Sequence, residues 1–458
     1  MYIFQAKWEK KLYTKDLQFI AVILENKEGA VLYRNDITRE QNPEYFKSKI
    51  TQIDIKLNAE QATLIIWPFY KDWGKKITEP IFPSSKKPYA SIAFSTSYQN
   101  IPCKGIKYWG PKGTSGYALA AKHYMYDIVQ RGIPLSWKQL EFDKSEVQET
   151  TSVDIVVNSK INKHLSDGAD LVILHCTPEN WPHIVKENAH EIPPGTRIVG
   201  QTVWETDKIC DKWVECINTV DEVWVPCKWN AEVFQKSGVT IPIRIVPHVV
   251  EKLPLPETTG IKLTGKYFYT SSRVKNIARV PKDNHKVFYN ISQWTPRKGM
   301  EDLLHAYCQA FTKQDNVLLI LKTHGSNYSE SEIEKIDKRI KDILSFYRNH
   351  PDVYFIEENL TQQQILALHK IGDCYVSLCK SEGWGLGAYE AMQYGKHVVI
   401  TGYGGHMDYL TDYEKARFVK YQIVPCEGME WIPWYNSDQN WAKPHIEDAI
   451  IQIKGIYS

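Results

Sequence analysis

The 458-residue sequence lacks several features that would place it in common classes of protein. No stretch of about 18 apolar residues occurs, and the N-terminal segment 1–11 carries charges without an apolar core of signal-peptide length. The 56 Lys and Arg residues nearly balance the 54 Asp and Glu residues, so no net field exists to hold a nucleic-acid backbone. We therefore expect a cytoplasmic protein with no nucleic-acid partner and at most a peripheral association with membranes.

Cysteine usage and glycine spacing argue against further classes of site. The nine cysteines are odd in number, scattered, and never spaced as Cys-x-x-Cys pairs, so neither a disulfide framework nor a zinc site is indicated. Reduced thiols in a cytoplasmic protein fit this pattern best. A dinucleotide-dependent oxidoreductase would need Gly-x-Gly-x-x-Gly just after an early strand. The nearest match, GWGLGA from Gly383, is Gly-x-Gly-x-Gly and lies late in the chain.

The sequence has the balance of a globular protein and the length for several domains. Hydrophobic residues make up 43% and charged residues 24%, and the length predicts about two to four domains. Residues 1–98 contain short β-rich runs such as LQFIAVILE and ATLIIWPFY, separated by polar breaks. This pattern predicts a β-rich module of unassigned role.

From residue 99 onward, continuous apolar runs alternate with helical stretches. The predicted strands are DIVV, LVILH, RIVGQT, EVWVP and RIVPH, followed later by KVFYNIS, NVLLILKT, DVYFIE, DCYVSLC and HVVIT. Apolar strands that alternate with helices predict doubly wound parallel sheets. The predicted fold class is α/β, with two tandem Rossmann-like domains at 99–250 and 285–458, a linker at 251–284 and a cleft between the domains.

The segment SEGWGLGAYE follows the predicted strand DCYVSLC and precedes a predicted helix. Ligands bind at this end of a strand in open α/β sheets. Gly383, Gly385 and Gly387 remove three Cβ atoms, which lets backbone amides at a helix N-terminus approach a phosphate. Considered alone, the loop is explained equally well as a tight strand-to-helix connection.

The acidic ends of this loop, Glu382 and Glu390, would be unfavourable beside phosphate, which predicts that each faces sugar hydroxyls. A basic pair, Arg297 and Lys298, follows the strand KVFYNIS at the start of another helix. Because a cation there opposes the helix dipole, the pair favours a bound anion, although charge pairs are often only solvated. The two segments together predict a diphosphate site.

The ordered set of segments resembles a known family. The set comprises PRKG at 296–299, Glu-x7-Glu from Glu382 to Glu390, GYGGHMDYL, YWGPKGTSGYA, ETDKICDKWVECINTVDEVWVPCKWNAEVFQKSG and IVPH. It is similar to the retaining nucleotide-sugar glycosyltransferases with two Rossmann domains (the GT-B fold), specifically family 4, or glycosyl transferases group 1. The resemblance covers roughly residues 106–458.

The resemblance implies roles for residues of the second Rossmann-like domain. Glu382 would contact the donor sugar and Glu390 the nucleotide ribose, while Arg297 and Lys298 would hold the diphosphate as it leaves. Charge that develops there is stabilised by preorganised cations and amides. The loop residues also implied in donor binding are Gly383, Trp384, Gly385, Leu386 and Gly387. Many relatives carry a further Arg where this chain has Ser292-Gln293-Trp294.

For the first Rossmann-like domain, the resemblance places His175, at the end of LVILH, close to the donor sugar. A hydrogen-bonded strand-end histidine is an equal alternative. Gly113, Ser115 and Gly116 would form a mobile loop that closes over the diphosphate, with a plain turn as the alternative. No Asp-x-Asp occurs, so basic residues would replace Mg²⁺, and neither a metal nor another cofactor is expected.

The sequence thus predicts an enzyme, a metal-independent hexosyltransferase that moves a sugar with retention from a nucleotide-diphosphate donor. The expected partners are a UDP- or GDP-sugar and a glycan or glycolipid acceptor, and the family setting favours bacterial glycan or polysaccharide assembly. The alternative is a catalytically silent sugar-nucleotide or glycan-binding scaffold subunit, against which the four charged residues argue.

Overall fold

The chain divides into two compact units, Met1–Lys104 and Gly105–Ser458, in the computed structural model. In the first unit the structure describes the backbone of the strands and residue 104. In the second it describes 105–457 apart from 114, 141–156, 159–160, 162–164, 166–167, 249, 251, 258–266 and 272–284. The boundary between the units falls at 104–105, whereas the sequence analysis placed it near residue 98. Most of the predicted linker 251–284 lies outside the described residues.

The first unit is built from antiparallel strands, in agreement with the predicted β-rich module. The strands are β1 (Tyr2–Glu9), β2 (Leu17–Glu25), β3 (Val31–Thr38), β4 (Ile50–Leu57), β5 (Thr63–Tyr70) and β6 (Ser91–Ala93). Strands β1 and β4 pair with each other, and the others form a sheet in the order β3-β2-β5-β6. The role of this unit stays open.

The second unit begins with a parallel sheet in the order β12-β11-β10-β9-β7-β8. Its strands are β7 (Ile106–Pro111), β8 (Leu135–Leu140), β9 (Leu171–His175), β10 (Arg197–Gln201), β11 (Glu222–Val225) and β12 (Ile243–Ile245). The helices between them are α1 (Gly116–Gln130), α2 (Trp181–Glu187), α3 (Asp211–Ile217) and α4 (Lys228–Lys236). This is the first predicted Rossmann-like domain.

A second sheet follows in the order β13-β16-β15-β14-β17-β18-β19, parallel except for β13. Its strands are β13 (Phe268–Tyr269), β14 (Lys286–Ile291), β15 (Val317–Lys322), β16 (Asp352–Ile356), β17 (Cys374–Ser377), β18 (His397–Thr401) and β19 (Ala416–Val419). The helices are α5 (Met300–Ala310), α6 (Glu330–Ser345), α7 (Gln362–Ile371), α8 (Leu386–Gln393), α9 (Met407–Leu410) and α10 (Ile446–Tyr457). Two Rossmann-like domains in tandem are therefore confirmed.

The apolar patterns explain these elements. Every residue of β15, VLLILK, is buried, because a central parallel strand is covered by helices on both faces. In α6, Ile336, Ile340 and Ile343 recur at helical spacing and are buried against the sheet, while the charged residues between them lie outside. One predicted strand, DIVV, is wrong at Val157, which is helical; the other three residues lie outside the described part of the chain.

A β-hairpin, β20 (Tyr421–Pro425) and β21 (Asn440–Pro444), was not predicted. Its connecting segment reaches the first Rossmann-like domain, where the rings of Tyr435 and Trp204 lie 4.8 Å apart. The Asn440 backbone N–H donates to Asp207 at 2.6 Å. This hairpin therefore links the two domains, whereas α10 packs within the core of the second domain. No helix of the described residues is long and apolar enough to cross a membrane.

Candidate active site

The two predicted cations lie on a tight turn between β14 and α5. Residues Pro296–Lys298 form one turn of 3₁₀ helix, and Gly299 follows in the left-handed region with a φ of 63°. A Cβ at Gly299 would lie 2.0 Å from the carbonyl oxygen of Leu378, so only glycine lets this turn pack against the end of β17. The Lys380 N–H donates to the Arg297 carbonyl at 2.7 Å. The turn thus holds both cations beside the loop that follows β17.

Glu382, the first residue of the Glu-x7-Glu motif, lies between these cations. Its Oε2 is 3.0 Å from Arg297 Nη1, and its Oε1 is 2.5 Å from Lys298 Nζ. Its side chain is only 12% exposed. Burial alone would raise the pKa of Glu382, but the charges and hydrogen bonds of Lys298 and Arg297 outweigh it and lower the pKa to about 2. The sequence reasoning expected Glu382 to face neutral groups, whereas in the structure it faces two cations.

Arg297 also contacts the first Rossmann-like domain. Its Nη2 lies 3.3 Å from Glu205 Oε1, and the Tyr435 hydroxyl donates to Glu205 Oε2 at 3.0 Å. Burial would lower the pKa of Arg297, but Glu205 and Glu382 hold it well above its usual value. Glu205 was given no role from the sequence, although it begins one of the segments that carried the resemblance. The formal charges of Arg297, Lys298, Glu205 and Glu382 cancel.

Each glycine of the loop is required either by close packing or by its backbone conformation. A Cβ at Gly383 would lie 2.1 Å from Val203 Cγ2, and a Cβ at Gly387 would lie 2.7 Å from the Tyr375 hydroxyl. Gly385 has a φ of 83° and caps α8. In this structure a side chain at Gly383 would therefore meet the first domain rather than open space. These contacts are those of a tight strand-to-helix connection, one of the two alternatives that the sequence left open for this loop.

The Gly383 carbonyl fixes the loop against the first domain. It accepts hydrogen bonds from Asn230 Nδ2 at 3.0 Å and from Cys227 Sγ at 3.2 Å. The Tyr409 hydroxyl lies within 2.9 Å of the carbonyls of both Trp384 and Gly385. The loop is thus held by side chains from both domains.

Glu390 lies on α8, away from the cation pair. Its Oε2 is 3.4 Å from His369 Nε2, and its side chain is 27% exposed. Leu386 is the first residue of α8. Burial, followed by the charge of Glu382 and more weakly that of Glu390, raises the pKa of Tyr375 well above its usual value. Tyr375 therefore stays protonated between the two carboxylates of the motif.

His175 is buried in a cluster of aromatic side chains at the carboxyl end of β9. Its Nδ1 is 2.5 Å from the Tyr108 hydroxyl, which also donates to Gln201 Oε1 at 3.3 Å. The tyrosine rings within 6 Å of its imidazole are those of Tyr108, Tyr117 and Tyr124. Burial, followed by the charge of His248, lowers the pKa of His175 well below its usual value. His175 is a neutral, hydrogen-bonded imidazole, and its place close to the donor sugar stays a prediction.

His248 joins this cluster to the loop of the second domain. Its Nδ1 is 2.9 Å from the Tyr124 hydroxyl, and its ring meets the indole of Trp384 edge-on at 5.5 Å. Burial, followed by the charge of His123, lowers the pKa of His248 to about 3. The indole nitrogen of Trp384 is buried and makes no hydrogen bond among the described residues. His248 was missed from the sequence, although it ends the segment IVPH.

The predicted loop of the first domain lies at the start of α1. Ser115 caps this helix, because its Oγ accepts from the Ala118 N–H at 3.3 Å. Gly113 has a φ of 138°, and a Cβ at Gly116 would meet nothing within 4 Å. Residue 114 lies outside the described part of the chain. Both sequence alternatives for this loop stay open.

The structure brings Arg297, Lys298 and Glu382 into direct contact, and Trp384, two residues after Glu382 in the same loop, meets the imidazole of His248. Glu390 lies apart from the cation pair and contacts His369. Among the described residues, no group of three His, Cys, Asp or Glu side chains is arranged to hold a metal ion. The arrangement offers two cations and a carboxylate at the carboxyl ends of β14 and β17, where this type of sheet binds ligands.

Residues 273–423 match the sequence model of the family described as Glycosyl transferases group 1. The match covers about a third of the chain and most of the second Rossmann-like domain. The matched range contains Arg297, Lys298, Glu382 and Glu390. Together with the preceding Rossmann-like domain, the matched domain gives the chain the two-domain GT-B layout. A comparison with curated proteins gives no match.

Several solved structures are similar to this chain. TarM of S. aureus, in complex with Fondaparinux, alpha-GlcNAc-glycerol and UDP, is 14% identical over 63% of this chain and 48% of that chain, with a TM-score of 0.42. HepE of Anabaena, in complex with UDP and glucose, is 15% identical over 66% and 82% of the two chains, with a TM-score of 0.43.

WaaG, a glycosyltransferase involved in lipopolysaccharide biosynthesis, is 14% identical over 77% of this chain and 90% of that chain, with a TM-score of 0.43. The present chain thus spans about half of the TarM chain and most of the other two. Because all three TM-scores are below 0.5, the GT-B assignment depends on the strand pairing of this chain itself.

Proposed function

We propose that this chain transfers a hexosyl group from a nucleotide-diphosphate sugar to a hydroxyl group of a glycan or glycolipid acceptor. The observation that carries the proposal is the contact of Glu382 with Arg297 and Lys298, within the segment that matches the glycosyl transferases group 1 model. The bond between the anomeric carbon and the diphosphate oxygen breaks, a bond to the acceptor oxygen forms, and the acceptor hydroxyl gives its proton to the departing diphosphate. The products are the glycosylated acceptor and a nucleoside diphosphate.

The cation pair fits the charge that this reaction develops. As the anomeric bond breaks, negative charge grows on the departing diphosphate, and fixed cations beside it stabilise the transition state. Arg297 and Lys298 are held in place by the left-handed turn at Gly299 and by Glu382. Their side chains are 13% and 18% exposed, and low exposure strengthens their interaction with an anion.

Glu382 then has two roles in the proposal. Its pKa of about 2 keeps it ionised at every physiological pH, so it acts as an acceptor for sugar hydroxyls and never as a general acid. It also orients the two cations before the donor binds. Glu390, which lies on α8 at 27% exposure, accepts hydrogen bonds from the ribose hydroxyls.

We further propose that the reaction needs no metal ion and retains the anomeric configuration. Two fixed cations and the N-terminus of α8 supply the positive charge that Mg²⁺ would otherwise bring. Retention rests on the resemblance of the Glu-x7-Glu segment to its family. The setting in bacterial glycan assembly in the cytoplasm rests on the same resemblance.

A donor panel tests the proposal. Purified protein is incubated with UDP-, GDP-, ADP- and dTDP-sugars in EDTA, and the released nucleoside diphosphate is measured. We expect release from one donor, and about 100-fold or greater loss of kcat in Lys298→Ala. The matched control is Lys338→Ala, which removes an exposed lysine that pairs with Asp342 on α6.

Three outcomes contradict parts of the proposal. Release that disappears in EDTA and returns with Mg²⁺ contradicts metal independence. Full activity in Lys298→Ala contradicts its role. Tight binding of a nucleotide sugar without turnover under any acceptor would support the second candidate, a silent scaffold subunit, against which the intact set of Arg297, Lys298 and Glu382 argues.

A further inference from the structure

The four charged side chains at the cation turn leave no surplus of positive charge. Arg297 pairs with both Glu205 and Glu382, and Lys298 pairs with Glu382. The diphosphate of a nucleotide sugar carries about two negative charges at neutral pH. Because the four side chains together are already neutral, binding of the diphosphate calls for a further cation that no carboxylate neutralises. Residues 292–294, on the neighbouring stretch of the site, carry no positive charge.

Lys322 is such a cation. It is the last residue of β15, it is 5% exposed, and no carboxylate of the described residues lies within ion-pair distance of it. Its ammonium donates to the Tyr328 hydroxyl at 2.9 Å and lies 4.7 Å from the centre of that ring. An ammonium has three donors, so two of them are left for another acceptor.

The strand register links Lys322 to the donor loop through Ile291 and Tyr375. Lys322 pairs with Ile291, the last residue of β14, whose carbonyl is 3.4 Å from the Tyr375 hydroxyl. The same hydroxyl would lie 2.7 Å from a Cβ at Gly387, in the first turn of α8. Lys322 therefore ends the strand next to the one that carries the cation turn.

The alternation of side chains along β15 shows which face Lys322 shares. Leu318 and Ile320 are buried in the cluster that contains Tyr375 and the residues of α8. Side chains two residues apart in a strand point to the same face, so Lys322 extends this row towards the side of α8, the helix of Glu390. Met300, which directly follows the cation turn, is buried with Leu319 and Leu321 on the other face of the sheet. A diphosphate that reaches from the cation turn towards α8 would therefore cross these strand ends.

We infer that Lys322 is a further donor-binding residue whose ammonium binds the phosphate nearest the nucleoside. The inference rests on the proposed function. The competing explanation is that Lys322 only fills the core, with its aliphatic stem packed against apolar side chains and its ammonium satisfied by Tyr328.

The test compares Lys322→Met, which keeps the length of the stem, with wild type and with the control Lys338→Met on α6. Dissociation constants are measured by calorimetry for UDP, GDP, ADP and dTDP, and then for the monophosphate and the nucleoside of whichever one binds. We expect Lys322→Met to weaken binding of the diphosphate and monophosphate by about tenfold or more. Binding of the nucleoside should be unchanged.

The outcomes separate this inference from the proposed function. If wild type binds none of the four diphosphates, the proposed function fails and the inference fails with it. If wild type binds one and Lys322→Met binds it equally well, only the inference is overturned. Equal weakening of the nucleoside and the diphosphate also overturns it, because the ammonium would then contact the base or ribose.

A second measurement covers the case in which Lys322→Met does not fold. Burial lowers the pKa of Lys322 to about 8. The titratable groups that interact with its ammonium are Tyr328, by a hydrogen bond, and His324, by charge. A bound phosphate favours the charged ammonium, so wild type should take up protons on binding between pH 8 and 9, and affinity should fall as pH rises through this range. Binding without proton uptake, in calorimetry with buffers of different ionisation enthalpy, would overturn the inference.

Discussion

Arg297 Nη2 and Glu205 Oε1 form an ion pair of 3.3 Å that joins the two Rossmann-like domains. The same guanidinium contacts Glu382 at 3.0 Å, so one arginine is shared between a carboxylate of each domain. Under the proposed function, the binding of a diphosphate and the fit between the domains therefore depend on the same side chain.

The first prediction concerns Glu205. Replacing it by Gln should lower the free energy of unfolding by about 1–3 kcal/mol, because the buried guanidinium loses a charged partner. The same change should tighten nucleoside diphosphate binding by up to about tenfold, because one competing carboxylate is gone. Chemical denaturation and calorimetry measure the two effects.

Asp438→Asn is the control for this prediction, since Asp438 forms an exposed ion pair with Lys208 across the same domains. That pair should contribute little to stability. A Glu205→Gln variant that binds the nucleotide more weakly than wild type would contradict the competition between Glu205 and phosphate.

The second prediction concerns Gly383. A Cβ at this position would lie 2.1 Å from Val203 Cγ2 and 2.7 Å from the Trp204 carbonyl oxygen. Gly383→Ala should therefore destabilise the chain by about 1–3 kcal/mol through overpacking. Gly116→Ala is the matched control, because its Cβ meets nothing within 4 Å and alanine favours the helix by about 0.4–1 kcal/mol. Equal thermal stability of the two variants would show that Gly383 does not pack against Val203.

The third prediction concerns pH. The pKa of His248 is lowered from 6.5 to about 3 by burial and by His123, so the unfolded state binds more protons between these values. Stability is then fully present above about pH 6.5 and is lost as pH falls, by about 2 kcal/mol for His248 between pH 6.5 and 5. His175 acts in the same direction.

Denaturant unfolding of wild type and His248→Asn between pH 5 and 7 checks this. The variant should show a shallower fall in stability with decreasing pH, whatever its stability at pH 7. Parallel curves for the two proteins would mean that His248 does not titrate between the folded and unfolded states. Glu382 does not disturb the comparison, since its lowered pKa of about 2 affects stability only below pH 4.5.

The fourth prediction concerns the loop between β17 and α8. The Tyr409 hydroxyl contacts the carbonyls of Trp384 at 2.8 Å and Gly385 at 2.9 Å. Tyr409→Phe should destabilise the chain by about 1–3 kcal/mol, because buried acceptors lose their donor, and it should raise KM for the donor. Tyr413→Phe removes a comparable hydrogen bond to the Lys396 carbonyl, away from the loop. It should leave KM unchanged, and an equal rise in both variants would argue against a role for the loop in donor binding.

Local patterns were enough to predict most of the fold. The apolar runs LVILH and HVVIT form β9 and β18 over the same residues, and the periodic isoleucines of α6 are buried as expected. The hairpin of β20 and β21 was missed because β20 is mostly exposed and β21 carries an exposed lysine between buried residues, so neither strand has a continuous apolar run.

The candidate site was predicted in part. Arg297 and Lys298 are 85 and 84 residues away from Glu382 in sequence, yet the two segments follow neighbouring parallel strands, β14 and β17. Strand ends of this kind meet at one edge of a sheet, so the sequence pattern was sufficient. Glu205 and His248 carry no comparable signal, because their contacts with the other domain arise only when the two domains pack together.

The sequence by itself determined the alternation of strands and helices, and it placed two cations and two carboxylates after strand ends, since these features depend on local periodicity. Only the tertiary structure decided which charges meet. Arg297 is shared with Glu205, and the space beside Gly383 is filled by Val203, because the packing of one domain against the other sets these contacts. No local preference of the chain encodes that packing.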